Sequence, residues 1–489
     1  MFKRQAKEFL IISAFFSYFY GWYFSLAERK FKFNPKIMKR HYFLVLLFLI
    51  LLLFSFFRFY LLDKRVIFDW DQERDAFIIK QILVEKRLTL IGPRVLGPEG
   101  FFLGPYFTYL LTPFYFVTSL HPQAIILFIV IYSLGFFGLT FWVLQKLFNH
   151  LVALIFLLIW ALHPSLIGID KIAWNPILVP LIIIFSWLLV FKLFKKPSFF
   201  LLLAIGLIAG LGINFHFQLI YLVPFILVFL FSQKKRQFKK AIVFFSGFIL
   251  PFLPLFLFDL RHSFLNLRLL IDFLFKKSGE ANWLAWLPVW KNVSVGFVGF
   301  DFPFLPLLFY LLPLGIIIFL WRKETDNFMK RFYLASMVSW LIFPFGFALF
   351  GQRPSEYYFN FLYPFLVVLL VLFLLKTVKK WQLIFLLALL SLLLRGNQLE
   401  TELQPNPLGL SYKEKVVQRI GEIGRGKKFN VSFSVPLGMD TGYRYLLDFY
   451  QIKQSQDPND ALLRIVVPPE KEPVDEVFGG IGLFIPEKF

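Results

Sequence analysis

The sequence predicts an all-α polytopic membrane bundle with a small C-terminal α/β domain outside the membrane. Hydrophobic residues make up 58% of the 489 residues and charged residues only 17%, and the mean hydropathy is +0.69. Apolar runs recur between Tyr42 and Leu394, and each helical span needs about 20 such residues to cross a hydrocarbon core about 30 Å thick. Because helices satisfy their backbone hydrogen bonds internally, these runs predict a bundle of about 11 to 13 membrane-spanning helices.

The basic residues lie in clusters between the apolar runs. Lys and Arg total 52 against 30 Asp and Glu, which gives a formal net charge of +22. In a soluble protein this excess would suggest nucleic acid, but short loops rich in Lys and Arg face the cytoplasm in membrane proteins. We therefore expect the charge to reflect membrane topology, with no nucleic-acid partner. The clusters fall at residues 29–40, 192–196, 234–240, 322–331 and 376–380.

The apolar sequence between the later clusters fits pairs of spans, so each pair returns the chain to the same side. The predicted spans lie near residues 42–62, 123–145, 151–168, 176–194, 199–215, 217–232, 241–258, 303–320, 332–350, 357–375 and 381–394. The extracytoplasmic loops are then residues 63–100, 169–175, around 216, 259–302, 351–356 and everything after 394. We expect a multi-pass protein of the cell membrane, with these loops and the C-terminal domain outside.

Two apolar segments complicate the count. If residues 101–120 crossed the membrane fully, every later loop would lie on the opposite side. We therefore predict a re-entrant or kinked segment here. Gly104, Pro105 and Pro113 are compatible with such a segment. The alternative is a full crossing compensated by residues 9–27, an apolar stretch without a signal-peptidase cleavage site. The predicted domains are residues 1–40, an apolar segment and basic cytoplasmic loop; 41–395, the membrane domain; and 396–489, the α/β domain.

The tail carries both helix and strand patterns. Helical periodicity covers residues 411–423 and returns near 440–450, while FNVSFSV at 429–435 and LLRIVVP at 462–468 are typical of strands. These patterns favour a soluble α/β domain. The chain has no cysteine, which excludes disulfides, a thiolate nucleophile and Cys-ligated metal centres.

The first external loop contains a dense group of charges in FDWDQERDAF. Asp69, Asp71, Glu73, Arg74 and Asp75 fall within seven positions just beyond a predicted span. A carboxylate here could accept a proton from a hydroxyl or hold a cation, and a nearby Arg could pair with phosphate oxygens. The alternative is a solvated helix with local ion pairs.

Two further external turns carry isolated polar residues. Asp170 follows HPSLIGI between two spans, where an ionisable group is functional, paired, or placed in the headgroup layer at little cost. Asn214, His216 and Gln218 stand at another turn, after glycines that allow close helix packing. His216 could bind phosphate or relay a proton, or serve as a hydrogen-bonded structural residue.

Two later loops add cationic side chains. FDLRH places Arg261 and His262 beside Asp259, which suits an anionic headgroup or a local ion pair between Asp259 and Arg261. GQRPSEYYFNFLYP places Arg353 and Glu356 at the outer end of another span, next to tyrosines that interfacial anchoring explains equally well. Because all five polar groups fall on one predicted face, we predict a shared site.

These motifs resemble the GT-C membrane glycosyltransferases, specifically the protein mannosyltransferase and aminoarabinose transferase group called glycosyltransferase family 39. DQERDAFIIKQIL is similar to the family's acidic motif after the first span, and GPEGFFLGPYFTYLLTPFYF to the proline-containing segment that follows it. Asp71 then falls on the family's catalytic aspartate and Asp170 on a second acidic position. Gln72 stands where the family has an adjacent Glu, so Asp69 is a rival base.

The resemblance implies an enzyme that moves a hexosyl or pentosyl group from a polyprenyl-phosphate donor to a hydroxyl of a lipid, glycan or protein, with inversion and with Asp71 as general base. Candidate ligands of the donor phosphate are Arg74, His216, Arg261, His262 and Arg353. Candidate acidic residues for the acceptor or a divalent cation are Glu73, Asp75, Glu99 and Asp170. The alternatives are a lipid-linked saccharide transporter and a non-catalytic component of a cell-envelope polymer assembly complex.

Overall fold

A computed structural model of the chain describes residues 35–95, 100–231, 237–276, 284–350, 353–377, 397–455, 457 and 459–487. The chain divides into two compact units, residues 1–49 and 50–489. The described part of the first unit is helical, and the second unit contains the side chains discussed below. The apolar segment 9–27, the predicted span 381–394 and Glu99 lie outside the described residues.

Apolar helices coincide with the predicted spans to within a few residues, which confirms the polytopic helical bundle. Among the described residues, five helices are long and apolar enough to cross a membrane, or six if one bent pair counts as a single span. The five are His41–Phe59, Ala124–Leu147, Asn175–Lys195, Phe238–Arg261 and Leu305–Lys323. The remaining predicted spans correspond to the helices Phe199–Phe215, Phe217–Phe231 and Tyr363–Lys376 and to Asn327–Phe350.

The predicted span at residues 151–168 is broken in the structure. It consists of the helices His150–Leu162 and Pro164–Asp170, which meet at 80°. Pro164 has no backbone N–H to donate, and its ring disfavours the helical conformation in the preceding residue. His163 accordingly has φ −76° and ψ 121°, in the extended region. The bend places Asp170 at the end of a separate short helix.

The segment at residues 101–120 contains one short helix, Tyr106–Val117, with Pro113 inside it. Its 12 residues correspond to about 18 Å, so this helix alone does not cross a hydrocarbon core about 30 Å thick. Before the helix, the chain pairs with residues 92–95, since Val95 N–H donates to Phe101 O at 2.9 Å. Phe101 packs in a small buried cluster with Val95 and Phe273.

Glycines bring two of the apolar helices into close contact. A Cβ atom at Gly206 would lie 2.0 Å from Phe244 O, and one at Gly210 would lie 2.2 Å from Phe248 O. No larger side chain fits at such distances, so the predicted use of these glycines in helix packing is confirmed. Outside the bundle, short helices cover Leu62–Arg65, Trp70–Val84, Leu265–Ile271, Leu287–Val298 and Asn397–Leu403.

The tail forms the predicted α/β domain. Its helices are Leu410–Ile423 and Tyr443–Phe449, and its strands are β1 (Phe429–Ser434), β2 (Ala461–Val466), β3 (Glu476–Phe478) and β4 (Ile481–Phe484). The sheet has the order β1-β2-β4-β3, with β1 and β2 parallel and the other pairs antiparallel. The sequence patterns located β1 and β2 but not the two short strands that complete the sheet.

Candidate active site

The helix Trp70–Val84, which we call the acidic helix, carries most of the charges predicted for chemistry. At its start, the Asp69 N–H donates to Gln72 Oε1 at 3.0 Å, so Gln72 caps the helix. Gln72 Nε2 in turn donates to Ala173 O at 3.1 Å. This second bond fixes the first turn of the acidic helix against the loop that follows Asp170.

Arg74 lies between two carboxylates of its own helix. Its Nη1 contacts Asp71 Oδ1 at 2.7 Å, and its Nη2 contacts Asp75 Oδ1 at 2.9 Å. The Asp75 side chain is only 2% exposed, whereas that of Asp71 is 36% exposed. Burial raises the pKa of Asp75 to about 6, and the Arg74 guanidinium opposes this rise. The acidic helix therefore presents one accessible carboxylate, Asp71, oriented by an arginine that is itself held by a buried partner.

Asp69, the rival base, is bound to the C-terminal domain. Its carboxylate pairs with the ammonium of Lys413, a side chain that is only 3% exposed. The same ammonium donates to Phe68 O at 3.0 Å and to Thr441 O at 2.8 Å. Lys413 thus saturates its three N–H groups within one junction between the tail and the start of the acidic helix.

Glu73 and Lys80 extend this junction along the acidic helix. Glu73 is buried, and its Oε1 accepts the backbone N–H of Tyr445 at 2.9 Å. The Tyr445 ring packs edge-on against Phe77, with ring centroids 5.2 Å apart. One turn further along, Lys80 pairs with Asp448. These contacts explain why a charged helix is stable at this position: three of its charged residues, counted with Asp69, hold the tail in place.

Asp170 forms a buried ion pair with Arg58. Arg58 Nη2 and Asp170 Oδ2 are 2.7 Å apart, and the two side chains are 0% and 1% exposed. Trp160 Nε1–H donates to the same carboxylate at 3.1 Å, and the guanidinium donates to Trp160 O at 2.9 Å. Asp170 is therefore paired rather than exposed to the headgroup layer, and it joins the first span to the bent helix pair.

His216 lies in a group of aromatic side chains. It is only 4% exposed, and its ring contacts Tyr357 and Tyr358 with centroid distances of 5.5 and 4.9 Å. Its Nδ1 accepts the Gln218 N–H at 3.3 Å. Trp174 contacts the other side of Tyr357 at 4.7 Å, and Asp71 lies within electrostatic range of the Tyr357 phenol. The structure thus brings His216, Tyr357 and Asp71 into one neighbourhood.

Arg261 and His262 end a different helix, and both are exposed. His262 stacks on Phe258 with ring centroids 4.1 Å apart. Asp259 does not pair with Arg261 within the described residues. Its carboxylate instead accepts the backbone N–H of Asn266 at 2.6 Å, at the start of the next helix. The local ion pair offered as an alternative is therefore wrong, and the Arg261 guanidinium is available to a ligand.

Arg353 is also exposed and lies just before the 3₁₀ helix Glu356–Phe361, which leads into a span. No ion pair of Arg353 occurs within the described residues. Glu356 accepts a hydrogen bond from Asn292 Nδ2 at 3.2 Å. In the described ranges, no group of three or more His, Asp or Glu side chains is arranged to hold a metal ion.

A cavity of about 830 Å³ adjoins these residues. It is bounded by the loops after several spans and by residues 401–407 of the tail. Trp174 and Tyr357 belong both to its wall and to the aromatic group around His216. Tyr357 therefore belongs both to the wall of the cavity and to the surroundings of Asp71.

Sequence reasoning missed the residues that hold the site together. Lys413 belongs to SYKEKVVQ, which carries no sign of burial, and Arg58 stands inside an apolar run where a single cation is easily attributed to the interface. For Arg58 a signal existed, because a charge within a span needs a partner. For Lys413 no such signal existed in the sequence, since its partners Phe68 and Asp69 lie more than 300 positions earlier.

Searches by sequence gave no match: neither a family model nor a curated protein matches the chain. The structure does define a class. Its apolar bundle, acidic helix and small α/β tail have the GT-C fold of membrane glycosyltransferases, as the motifs indicated.

The solved structures that carry this fold include ArnT from Cupriavidus metallidurans. Its apo form matches with a TM-score of 0.57 at 12% identity, over 91% of this chain and 98% of that chain. The form bound to undecaprenyl phosphate matches with a TM-score of 0.54 at 13% identity, over 91% and 97%. The apo oligosaccharyltransferase of Archaeoglobus fulgidus matches with a TM-score of 0.50 at 13% identity, over 90% of this chain but 62% of its own length. At such identities the likeness establishes the fold.

Proposed function

We propose that this protein is a membrane glycosyltransferase that moves a sugar from a polyprenyl-phosphate donor to an acceptor hydroxyl, with inversion at the anomeric carbon. The group of protein mannosyltransferases and aminoarabinose transferases serves as a model for its chemistry. The fold supports this proposal, since a solved neighbour with the same fold binds undecaprenyl phosphate. A polytopic bundle also provides the lipid-facing surface that such a donor requires.

The proposal depends mainly on the accessibility of the Asp71 carboxylate. Asp69 is paired with Lys413, Glu73 accepts a backbone N–H of the tail, and Asp75 is buried. The Asp69 side chain is 49% exposed but bound to the tail, so Asp71, at 36% exposed, is the one carboxylate of these four that is both accessible and free of the tail domain. A general base must reach the proton that it removes, so Asp71 is the carboxylate that fits the role.

The chemistry then follows from Asp71 and from exposed cations in two other loops. Asp71 accepts the proton of the acceptor hydroxyl as its oxygen bonds to the anomeric carbon, and the bond from that carbon to the phosphate oxygen breaks. The leaving polyprenyl phosphate keeps the bonding electrons, so charge develops on its oxygens. Arg261 and Arg353 are exposed and can supply charge-assisted hydrogen bonds to them. Arg74, held by two carboxylates, instead orients the base.

The catalytic role is tested by Asp71→Asn, which keeps the size of the side chain but cannot take the proton. General-base assistance contributes about 100- to 10,000-fold, so we expect turnover to fall by that order while donor binding is retained. The assay uses purified protein, a polyprenyl-phosphate sugar and a set of hydroxyl acceptors. Asp69→Asn tests the rival base and should have the milder effect, since it weakens only the junction with Lys413. A wild-type rate for Asp71→Asn would rule out the mechanism.

We also propose that the acidic helix and the tail face the extracytoplasmic side, with residues 234–240 inside. The basic clusters support this orientation through the positive-inside rule. Single cysteines can be introduced into a chain that has none. In intact cells we expect an impermeant thiol reagent to label Asp440→Cys but not a cysteine placed at position 237. The reverse labelling would invert the topology.

A further inference from the structure

The cavity of about 830 Å³ beside the aromatic group has no part in the mechanism above. We propose that it binds an uncharged saccharide portion of the acceptor, so that the substrate which receives the sugar is itself a glycan. This inference rests on the proposed function and specifies its acceptor. Four features of the cavity support it: its charge, its free hydrogen-bond donors, its aromatic walls and its position.

The charges on the cavity wall cancel. Its charged residues are Arg65, Lys171, Glu356 and Glu402, two of each sign. Lys171 pairs with Glu402. Arg65 has no ion pair within the described residues, but its Nη1 and Nη2 are bound to the backbone carbonyls of Tyr60 and Phe57. Recognition of a phosphate or an anionic headgroup uses unpaired cations. The wall therefore suits a ligand without net charge.

Three buried hydrogen-bond donors of wall residues have no partner among the described residues. The Asn360 side chain is only 1% exposed, and its Nδ2 makes no hydrogen bond there. The buried N–H groups of Trp174 Nε1 and Arg65 Nε are likewise unpaired within the described part of the chain. Buried polar groups in proteins are nearly always hydrogen-bonded. All three residues line the cavity, so a rotation of their side chains toward a ligand rich in oxygen acceptors would satisfy these donors.

Aromatic rings complete the wall. Trp174 and Tyr357 meet edge to face, with ring centroids 4.7 Å apart, and Tyr363 lines the same space. A sugar ring has hydroxyl oxygens around its edge and C–H groups on its faces. Binding sites that combine aromatic surface with a few placed polar groups match this pattern.

The position of the cavity favours the acceptor over the donor. Its wall consists of the short helices Pro164–Asp170, Leu287–Val298 and Glu356–Phe361, the first turn of the helix Tyr363–Lys376, and residues of the tail. A cavity bounded by the tail suits an acceptor glycan, whereas the lipid chain of a donor must lie between apolar helices. The cavity also adjoins the acidic helix, because Trp174 of its wall follows Ala173, whose carbonyl accepts a hydrogen bond from Gln72 beside Asp71 at 3.1 Å.

The test measures saccharide binding without any transfer reaction. Full-length protein is placed in lipid nanodiscs free of glycosidic detergent, and saturation-transfer NMR is recorded with maltotriose and triacetylchitotriose as uncharged probes. Glucose 1-phosphate and a serine-containing peptide represent the other acceptor classes. We expect binding of at least one trisaccharide, with no displacement by a polyprenyl-phosphate sugar.

Two variants locate the site. Trp174→Phe keeps an aromatic ring but removes the indole N–H, and Asn360→Leu removes the unpaired amide. Each variant should weaken saccharide binding by about 3- to 10-fold, as expected for the loss of one neutral hydrogen bond. Trp187→Phe is the matched control, because the buried Trp187 Nε1 also lacks a partner within the described residues but lies outside the cavity wall. It should leave binding unchanged.

The inference is overturned if neither trisaccharide binds, if only the phosphate or the peptide binds, if the lipid-linked sugar displaces the trisaccharide, or if both cavity variants bind as well as the control. Its failure remains distinct from failure of the proposed function. Transfer that depends on Asp71 would persist in the first case, whereas a fully active Asp71→Asn protein would refute the mechanism even if the saccharide bound.

Discussion

The charged residues in the loops between the spans divide into two regions that sequence patterns do not distinguish. Around the acidic helix, Asp69, Glu73 and Lys80 are bound to partners in the tail. In the turns that follow later spans, Arg261 and Arg353 are exposed and have no ion-pair partner within the described residues. Paired and buried charges fix the architecture, while exposed cations remain available to a ligand. The comparison teaches that the partner of a charge, and not its spacing in the sequence, separates a structural residue from a candidate binding residue.

The largest effect should come from breaking the buried pair of Arg58 and Asp170. Arg58→Met leaves an uncompensated carboxylate in the bundle, and removing one partner of a buried pair typically costs about 3 to 5 kcal/mol. Equilibrium unfolding in mixed detergent micelles measures the loss. Adding Asp170→Asn should restore part of the stability. A single variant as stable as the wild type would show that Asp170 is free for another role.

The exposed cations should behave in the opposite way. Arg261→Gln and Arg353→Gln should weaken donor binding by about 1.5 to 3 kcal/mol, the range for a charged hydrogen bond. Their unfolding free energy should change by less than about 0.5 kcal/mol, as for most surface substitutions. Arg268→Gln, a neighbouring exposed arginine, is the control for general loss of charge. Unchanged donor affinity in both variants would remove these residues from the phosphate site.

A third test addresses the junction itself. Lys413→Met leaves the carbonyls of Phe68 and Thr441 without their donor, which should cost about 1 to 3 kcal/mol. Limited proteolysis should then release the tail sooner, and turnover should fall without a change in donor affinity. Lys415→Met, two residues away and exposed, should have neither effect. Equal proteolysis of the two variants would contradict the proposed junction.

The sequence predicted the bundle well because a span is a local property. About 20 consecutive apolar residues suffice to identify one, whatever lies elsewhere in the chain. The break at His163 illustrates the limit: Pro164 was visible, but a proline can be tolerated or can bend a helix, and the surrounding packing decides which. The glycines at 206 and 210 were interpreted correctly, since their spacing on one helix face is also a local signal.

The candidate site was predicted only in part, because its environment depends on contacts across the whole chain. The motif around Asp71 could be found in the sequence, and its roles remain predictions. The burial of Glu73 and the pairing of Asp69 could not be predicted from the sequence, because both depend on a domain that begins more than 300 residues later. Likewise, the wall of the cavity is assembled from distant loops, and no sequence window contains it.

The junction at Lys413 also has a consequence for biosynthesis. The acidic helix leaves the ribosome before the lysine that fixes its start, which follows 344 positions after Asp69. During synthesis, the carboxylates of the helix therefore remain in an incomplete environment until the tail has been made. A nascent chain that lacks the tail cannot assemble this arrangement, so the geometry around Asp71 is completed only when the tail has folded against the acidic helix.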